Sequence, residues 1–216
     1  EFPYELLAAA TSLDEPSLQA ELAKLVQAEI LYSKGKPPHC NYIFRHALLE
    51  GAAYNSLVKG KRQQLHKQVA EVLETQFPET VATRPELVAH HFTEANVAEK
   101  AAGYWLSAGL RSRDRSANIE AIGHLTKGLT AIRLLDESFE RDSRELELLN
   151  LVATAYQSAR GYSAVEVFPI FEHARELCLR SAKPEQMFMM MWGNWASHIV
   201  SGELRLGVSQ TLVVRA

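Results

Sequence analysis

The alternation of hydrophobic and polar positions divides the first 58 residues into two helices, two strands and a third helix. Leucine and valine recur at helical spacing after Pro16, which predicts an amphipathic helix following a short N-terminal one. Residues 30–32 and 42–44 are β-prone and flank the turn-rich string KGKPPH, which predicts a hairpin. A helix over residues 45–57 completes an order of elements that suggests a small winged-helix domain over residues 1–58.

From residue 59 onward the pattern is helical throughout, so the whole chain is predicted to be mainly α. The string KRQQLHKQVAEVLETQF places its apolar residues on one helical face and ends before Pro78, and PELVAHHFTEA predicts the next helix. Short polar or Gly/Pro-containing breaks separate the further predicted helices, which are 97–113, 116–135, 143–160, 163–182 and 185–200.

A small–large–small pattern recurs within these helices. Small residues let neighbouring helices approach closely while the large residue fills the space between them, as in helical hairpins of tetratricopeptide type. Residues 59–216 are therefore predicted to form an α-α superhelix of such hairpins, truncated at its C-terminal end, and an irregular helical bundle is the alternative. The pattern occurs as Ala101-x3-Trp105-x2-Ala108, Ala121-x3-Leu125-x2-Gly128 and Val167-x3-Phe171-x2-Ala174.

The composition narrows the class of protein. A net charge of −3 argues against a general nucleic-acid binder, which is usually strongly basic. Cys40 and Cys178 are the two cysteines, and their separation gives no disulfide framework or zinc motif and suits a reducing cytoplasm. No apolar run is long enough to span a membrane. The chain lacks an initiating Met and a signal peptide, and we expect it to be a fragment of a longer cytoplasmic protein.

The sequence carries no recognisable motif for catalysis or for cofactor binding. The glycine–lysine pairs at 35–36 and 60–61 lack the spacing of a phosphate-binding loop, and neither G-x-S-x-G nor H-E-x-x-H occurs. His90 and Glu94 lie four residues apart, as metal ligands can, but no partner cluster accompanies them. We predict that His91 packs inward while the other two face water, and that this fragment holds no catalytic residue, metal or cofactor.

Two groups of residues are candidate contact sites. Lys59, Lys61 and Arg62 form a basic patch that can contact phosphate or an acidic partner surface, or can be the solvated start of a helix. Arg45 and His46 stand where the hairpin gives way to a helix. From the residues alone, His46 either bonds a backbone carbonyl at this junction or contacts a ligand.

Four strings in order, FRHALLEGAAYNSL, RQQLHKQVAEVLE, PELVAHHFTEA and AEKAAGYWLSAG, resemble a recurring block in large bacterial signalling proteins. In that family a class III adenylate or guanylate cyclase domain is followed by a STAND-type (AAA-like) ATPase, a winged helix and tetratricopeptide-like repeats. Related ATPase–repeat regions occur in large LuxR-type transcription activators. The resemblance covers about residues 1–135, and the remainder matches only as generic repeats.

The resemblance implies a role for Arg45 and His46. Members of the family carry, late in the winged helix, a histidine before an apolar helix start, as in the Met-His-Asp motif. That histidine contacts the β-phosphate of bound ADP and holds the closed, inactive state. His46 matches it, whereas Ala47 stands where the motif has aspartate. An imidazole N–H can donate to a phosphate oxygen, and a neighbouring guanidinium strengthens the anion site.

The expected function is therefore a non-catalytic regulatory and protein-interaction segment of a multidomain signalling protein, for which the resemblance implies a cyclase output. It relays the nucleotide state, ATP or ADP, of an upstream ATPase domain in cis to repeats that bind an unknown protein or effector. One alternative is a pure repeat scaffold for protein binding. The other is a winged-helix DNA-binding regulator, against which Glu15, Glu21 and Glu29 argue because phosphates repel carboxylates.

Overall fold

A computed structural model of the chain describes residues 1–181 and, beyond them, residues 193, 196, 197, 199, 200 and 202. In this part of the chain the fold is mainly helical with one small sheet, which confirms the prediction of a mainly α protein. The predicted helix at 185–200 lies largely outside the described residues. The chain divides into two compact units, Glu1–Val97 and Ala98–Ala216, called the first unit and the second unit below.

The first unit follows the predicted order of elements, with two additions. A two-residue strand precedes the first helix, and a short helix begins at Pro78, where the sequence predicted only a helix end. The predicted domain boundary at residue 58 falls inside this unit because the helix Lys59–Gln76 packs against the helix Tyr4–Ala10. The elements are β1 (Phe2–Pro3), α1 (Tyr4–Ala10), α2 (Glu15–Gln27), β2 (Leu31–Lys36), β3 (His39–Phe44), α3 (Ala47–Ser56), α4 (Lys59–Gln76), α5 (Pro78–Thr83) and α6 (Pro85–Glu94).

The sheet has the strand order β1-β3-β2, and both neighbouring pairs are antiparallel. In the hairpin, Leu31 lies opposite Phe44 and Lys36 lies opposite His39, so the strands are longer than predicted and the turn is shorter. Gly35 has a φ of +99°, and a Cβ there would lie 2.7 Å from the backbone oxygen of His39. Glycine is therefore required at this position for the strands to continue into the turn.

The core of the first unit lies between the sheet and the first two helices. The helical leucines predicted to face inward in α2 are buried at Leu18 and Leu22, while Leu25 remains partly exposed. A second layer is formed where α4 packs on α6, around Leu73, Val88 and Phe92. The buried residues of the first cluster are Tyr4, Leu18, Leu22, Leu31, Cys40 and Tyr42.

The second unit is built from consecutive helices that pack on their neighbours in the chain. In the described range these are α7 (Ala98–Asp114), α8 (Asn118–Ile132), α9 (Phe139–Arg160) and α10 (Val167–Ser181). α8 packs on α7, α9 on α8 and α10 on α9. Because short connections join them, the consecutive helices form antiparallel pairs.

The small–large–small positions lie where these helices meet, and all nine residues are buried. A Cβ on Gly128 would lie 3.3 Å from Leu148 and 3.4 Å from Trp105, so the small residue leaves little spare room. A Cβ on Gly109, one residue after the pattern in α7, would lie 2.4 Å from Cγ of Leu125. The close approach of α7 and α8 therefore depends on a residue without a side chain at this point.

Replacing Gly109 by alanine is expected to lower the free energy of unfolding of the second unit by about 1–2 kcal/mol, because overpacking outweighs the gain in helix propensity. Gly103 lies in the same helix with no atom within 4 Å of an added Cβ, so Gly103→Ala is expected to stabilise the unit slightly. Guanidinium denaturation of the two variants measures the difference. Equal effects would contradict the close packing at Gly109.

A buried carboxylate joins three helices of the second unit. Glu145 of α9 is 1% exposed and accepts hydrogen bonds from Nε of Arg133 at 2.8 Å and from Arg141 at 3.2 Å. The ring nitrogen Nε2 of His173, on α10, lies 2.9 Å from the same carboxylate. Burial alone raises the pKa of Glu145, but the hydrogen bonds from Arg133 and His173 outweigh it and lower the pKa. The carboxylate is therefore charged and ties α9 to the end of α8 and to α10.

Candidate functional site

Arg45 lies between β3 and α3, before the helix rather than at its first residue as predicted. Its backbone N–H donates to the carbonyl of Ile30 at 3.0 Å, and its guanidinium lies 3.4 Å from the carboxylate of Glu29. Both side chains of this ion pair are largely exposed, so the pair contributes little to stability. An anion at this surface can therefore compete with Glu29 for the guanidinium.

His46 occupies the N-cap position of α3. Its backbone is extended, with φ −134° and ψ 131°, and its carbonyl accepts the N–H groups of Leu49 at 3.0 Å and Glu50 at 3.4 Å. The side chain makes no capping hydrogen bond and is exposed. The backbone of His46 thus starts the helix, while its imidazole plays no part in capping.

The helix that follows, α3, is apolar, but few of the residues that the structure describes pack against it. Alanine and leucine open α3, yet none of its ten residues is buried. Leu48 is 86% exposed, and Val58, just after the helix, is 75% exposed. Helices of water-soluble units usually bury an apolar stripe against a core. An uncovered apolar helix is typical of a surface that binds another protein or domain.

The basic residues Lys59, Lys61 and Arg62 open α4, directly after α3. The first turn of this helix contains no acidic residue, so the positive end of the helix dipole lies beside basic side chains. Arg62 lies 4.9 Å above the ring of Tyr54 and contacts Asn55, so it also packs against the end of α3.

The two predicted contact sites therefore lie at opposite ends of one helix. Arg45 and His46 precede α3, and the basic patch of Lys59, Lys61 and Arg62 follows it. A helix of this length spans about 15 Å, so the structure does not bring the two groups together into one pocket. They frame the exposed apolar surface instead.

A chain of polar contacts that the sequence did not predict joins α3 to α4 and α6. The hydroxyl of Tyr54 lies 3.2 Å from Nε2 of His66 and donates to Glu94 at 3.4 Å. Nδ1 of His66 lies 2.9 Å from Nδ1 of His91, which is partly buried. Both ring nitrogens of His66 are therefore engaged.

The environment of these histidines disfavours their charged forms. Burial, followed by the like charges of His66 and His90, lowers the pKa of His91 to about 4. Burial also lowers the pKa of His66, with Glu94 acting in the opposite direction and His90 and Arg62 in the same direction. The rings of His66 and His90 meet edge to face at 5.8 Å. At neutral pH the imidazoles of His66 and His91 are therefore neutral.

The described residues contain no group of three or more His, Cys, Asp or Glu side chains that could hold a metal ion. In the same range, no helix combines the length and the apolar character that a membrane span requires.

No family model matches the chain, and no solved structure matches it. Over 182 residues it is 26% identical to an uncharacterized protein of Rhizobium meliloti (strain 1021). The match covers 83% of this chain but 17% of the relative. The chain is therefore similar to a segment that spans about a sixth of a much longer protein.

Proposed function

We propose that this chain is a non-catalytic regulatory and protein-interaction segment of a multidomain signalling protein. It relays the nucleotide state of an upstream STAND-type ATPase domain to a helical-repeat array that binds a partner or effector. The observation that carries the proposal is α3, an apolar helix without a buried residue whose two ends are framed by Arg45–His46 and by Lys59–Arg62.

The first unit supports the proposal through the order and pairing of its elements. Two helices, an antiparallel hairpin and a third helix follow one another, and β1 adds a third strand beside β3. We infer a winged helix from this arrangement, with the histidine of the Met-His-Asp position at the N-cap of α3. The imidazole of His46 makes no capping hydrogen bond and is exposed, which leaves it accessible to a ligand.

The upstream ATPase domain is the proposed occupant of the α3 surface. Its apolar residues would cover Leu48 and Leu49, while ADP held in that domain approaches the N-terminal end at His46 and Arg45. A phosphate there accepts hydrogen bonds from an imidazole and a guanidinium, both of which donate through N–H groups. The match to a sixth of a much longer relative supports a multidomain context, and a cyclase is the proposed output.

The second unit supports a repeat array of tetratricopeptide type. Each described helix packs on the preceding one, and the small–large–small residues are buried between them. A pure repeat scaffold rests on the same observation, and it differs from our proposal in that its binding does not depend on nucleotide.

Replacing His46 by alanine in the full-length protein is expected to release ADP about tenfold faster or more, because a hydrogen bond to a charged phosphate is lost. Retention of ADP and output activity are measured together. His39→Ala is the control, since His39 is also exposed in the first unit and contacts Glu5 rather than α3. Unchanged ADP retention and unchanged output in His46→Ala would remove the nucleotide-sensing role and leave the scaffold alternative.

A second variant tests the surface rather than the histidine. Leu48→Asp places a charge on the apolar surface of α3, and we expect it to weaken docking and to change ADP retention and output without unfolding the chain. Leu134→Asp is its control, because Leu134 is also largely exposed but lies in the second unit. If the two variants behave alike in these assays, α3 is not the docking surface.

A further inference from the structure

The contacts of α3 with the rest of the first unit depend largely on one side chain. α3 buries no residue and makes little contact with β3, so few apolar contacts hold it. At its C-terminal end, Tyr54 contacts His66 and Arg62 on α4 and Glu94 on α6. Asn55, which contacts Arg62 at 3.5 Å, adds a weaker polar contact.

One arrangement of protons satisfies every contact in the chain from His91 to Glu94. Nδ1–H of His91 donates to Nδ1 of His66, Nε2–H of His66 donates to the hydroxyl of Tyr54, and that hydroxyl donates to Glu94. This arrangement uses two neutral imidazoles, each with one N–H, and a carboxylate that accepts. The chain is therefore complete without any additional proton.

The facing Nδ1 atoms limit how many protons the pair can hold. One added proton is tolerated, because an imidazolium can still donate to the remaining imidazole nitrogen. A second proton places an N–H on both nitrogens, which lie 2.9 Å apart, so neither can accept and two positive charges face each other. His66 and His91 must then separate.

We propose that the His91–His66–Tyr54–Glu94 chain is a proton-sensitive latch that holds α3 against α4 and α6 and releases it when both histidines are protonated. His66 uses Nδ1 for His91 and Nε2 for Tyr54, so a turn of its ring that breaks one contact also breaks the other. The latch acts on the position of α3 whether or not α3 docks an ATPase domain.

Of the groups around the latch, some favour and others oppose protonation of its histidines. Burial opposes a proton on His66, Glu94 attracts one, and His90 and Arg62 add to the opposition. Burial is the largest cause that opposes a proton on His91, and with the like charges of His66 and His90 it lowers the pKa of His91 to about 4. The latch is therefore closed at neutral pH and opens in acid.

Hydrogen exchange of the full chain at about pH 7 and about pH 4 tests the latch. The protection of α3 peptides is compared after correction for the intrinsic exchange rate at each pH. In the native sequence, α3 is expected to lose protection at least about fivefold in acid, while α4 keeps its protection. Tyr54→Phe is expected to show the low protection of α3 at both values of pH. Tyr32→Phe, at another partly exposed tyrosine of the first unit, is expected to behave like the native sequence.

His91→Asn distinguishes the response to protons from the contact that Tyr54 makes with α4 and α6. An asparagine amide can donate or accept at the position of Nδ1, so this variant is expected to keep α3 protected in acid. His90→Asn changes the neighbouring exposed histidine and is expected to retain the pH response. Protection of α3 that does not depend on pH in the native sequence, a Tyr54→Phe variant with native protection, or a full acid response in His91→Asn would each overturn the proposal. Simultaneous loss of protection in α3, α4 and α8 would also overturn it, because the response would then be global unfolding.

Discussion

Replacing Glu145 by alanine is expected to lower the free energy of unfolding of the second unit by about 3–5 kcal/mol, the range measured when one partner of a buried ion pair is removed. The carboxylate is 1% exposed and is bonded to Arg133, Arg141 and His173. Without it, Arg141, which is largely buried, loses its closest acceptor, and α9 loses its contact with His173 of α10, while the ion pair of Asp142 with Arg180 remains. Guanidinium denaturation followed by circular dichroism measures the change.

Two variants act as controls for this prediction. Glu147→Ala removes an exposed carboxylate two residues further along α9, and its effect is expected to remain within about 0.5 kcal/mol. Glu145→Gln keeps the shape and part of the hydrogen bonding, so its effect should lie between the other two. If Glu145→Ala were as stable as Glu147→Ala, the buried carboxylate would not join the helices as described.

The stability of the first unit is expected to fall as the pH decreases from about 6.5 to about 4. The folded pKa of His91 is lowered to about 4, below its ordinary value of 6.5. Between these values the unfolded chain binds a proton that the folded unit does not, so its contribution is complete above pH 6.5 and lost in acid. A difference of about 2.5 pKa units corresponds to about 3 kcal/mol. Urea denaturation over this pH range, followed at the first unit, measures the loss.

His91→Asn isolates this contribution from those of the carboxylates that also titrate in acid. The variant carries no titrating group at position 91, so its stability is expected to depend less steeply on pH than that of the native chain between about 6.5 and 4. His90→Asn should retain most of the slope, because His90 is exposed. Parallel pH profiles for the native chain and His91→Asn would contradict the lowered pKa.

The sequence predicted the helices with a strong apolar period well. Leu18 and Leu22 of α2 are buried as their spacing indicates, and Val88 and Phe92 of α6 pack inward. The small–large–small positions of the second unit are also buried, because close helix packing needs a small residue next to a large one. These features are local and periodic, which is why the sequence alone reveals them.

Elements that depend on a few hydrogen bonds were harder to predict from the sequence. β1 spans only Phe2–Pro3 and pairs with a strand about forty residues later, so no local pattern marks it. The start of α9 was predicted at residue 143, but Ser138 caps the helix by accepting the N–H of Arg141 at 3.1 Å. A polar string that looked like a break was therefore the first turn of a helix.

The polar clusters could not be predicted, because their members are distant in the chain. His66 and His91 lie on different helices and become neighbours only through the packing of α4 on α6. Glu145 stands among charged residues that are usually exposed, and only the tertiary contacts with Arg133 and His173 explain its burial. The sequence did identify Arg45 and His46 as candidate residues, because they interrupt an apolar run at a change of secondary structure.

The position of β2 at one edge of the sheet has a consequence for how the protein behaves at high concentration. An edge strand offers unpaired backbone groups that can recruit a strand from another molecule and start aggregation. β2 carries Lys34 and Lys36 on this edge, both of them exposed. Bringing two such edges together would place lysines of both chains side by side, and the repulsion opposes the joining of crowded copies through β2.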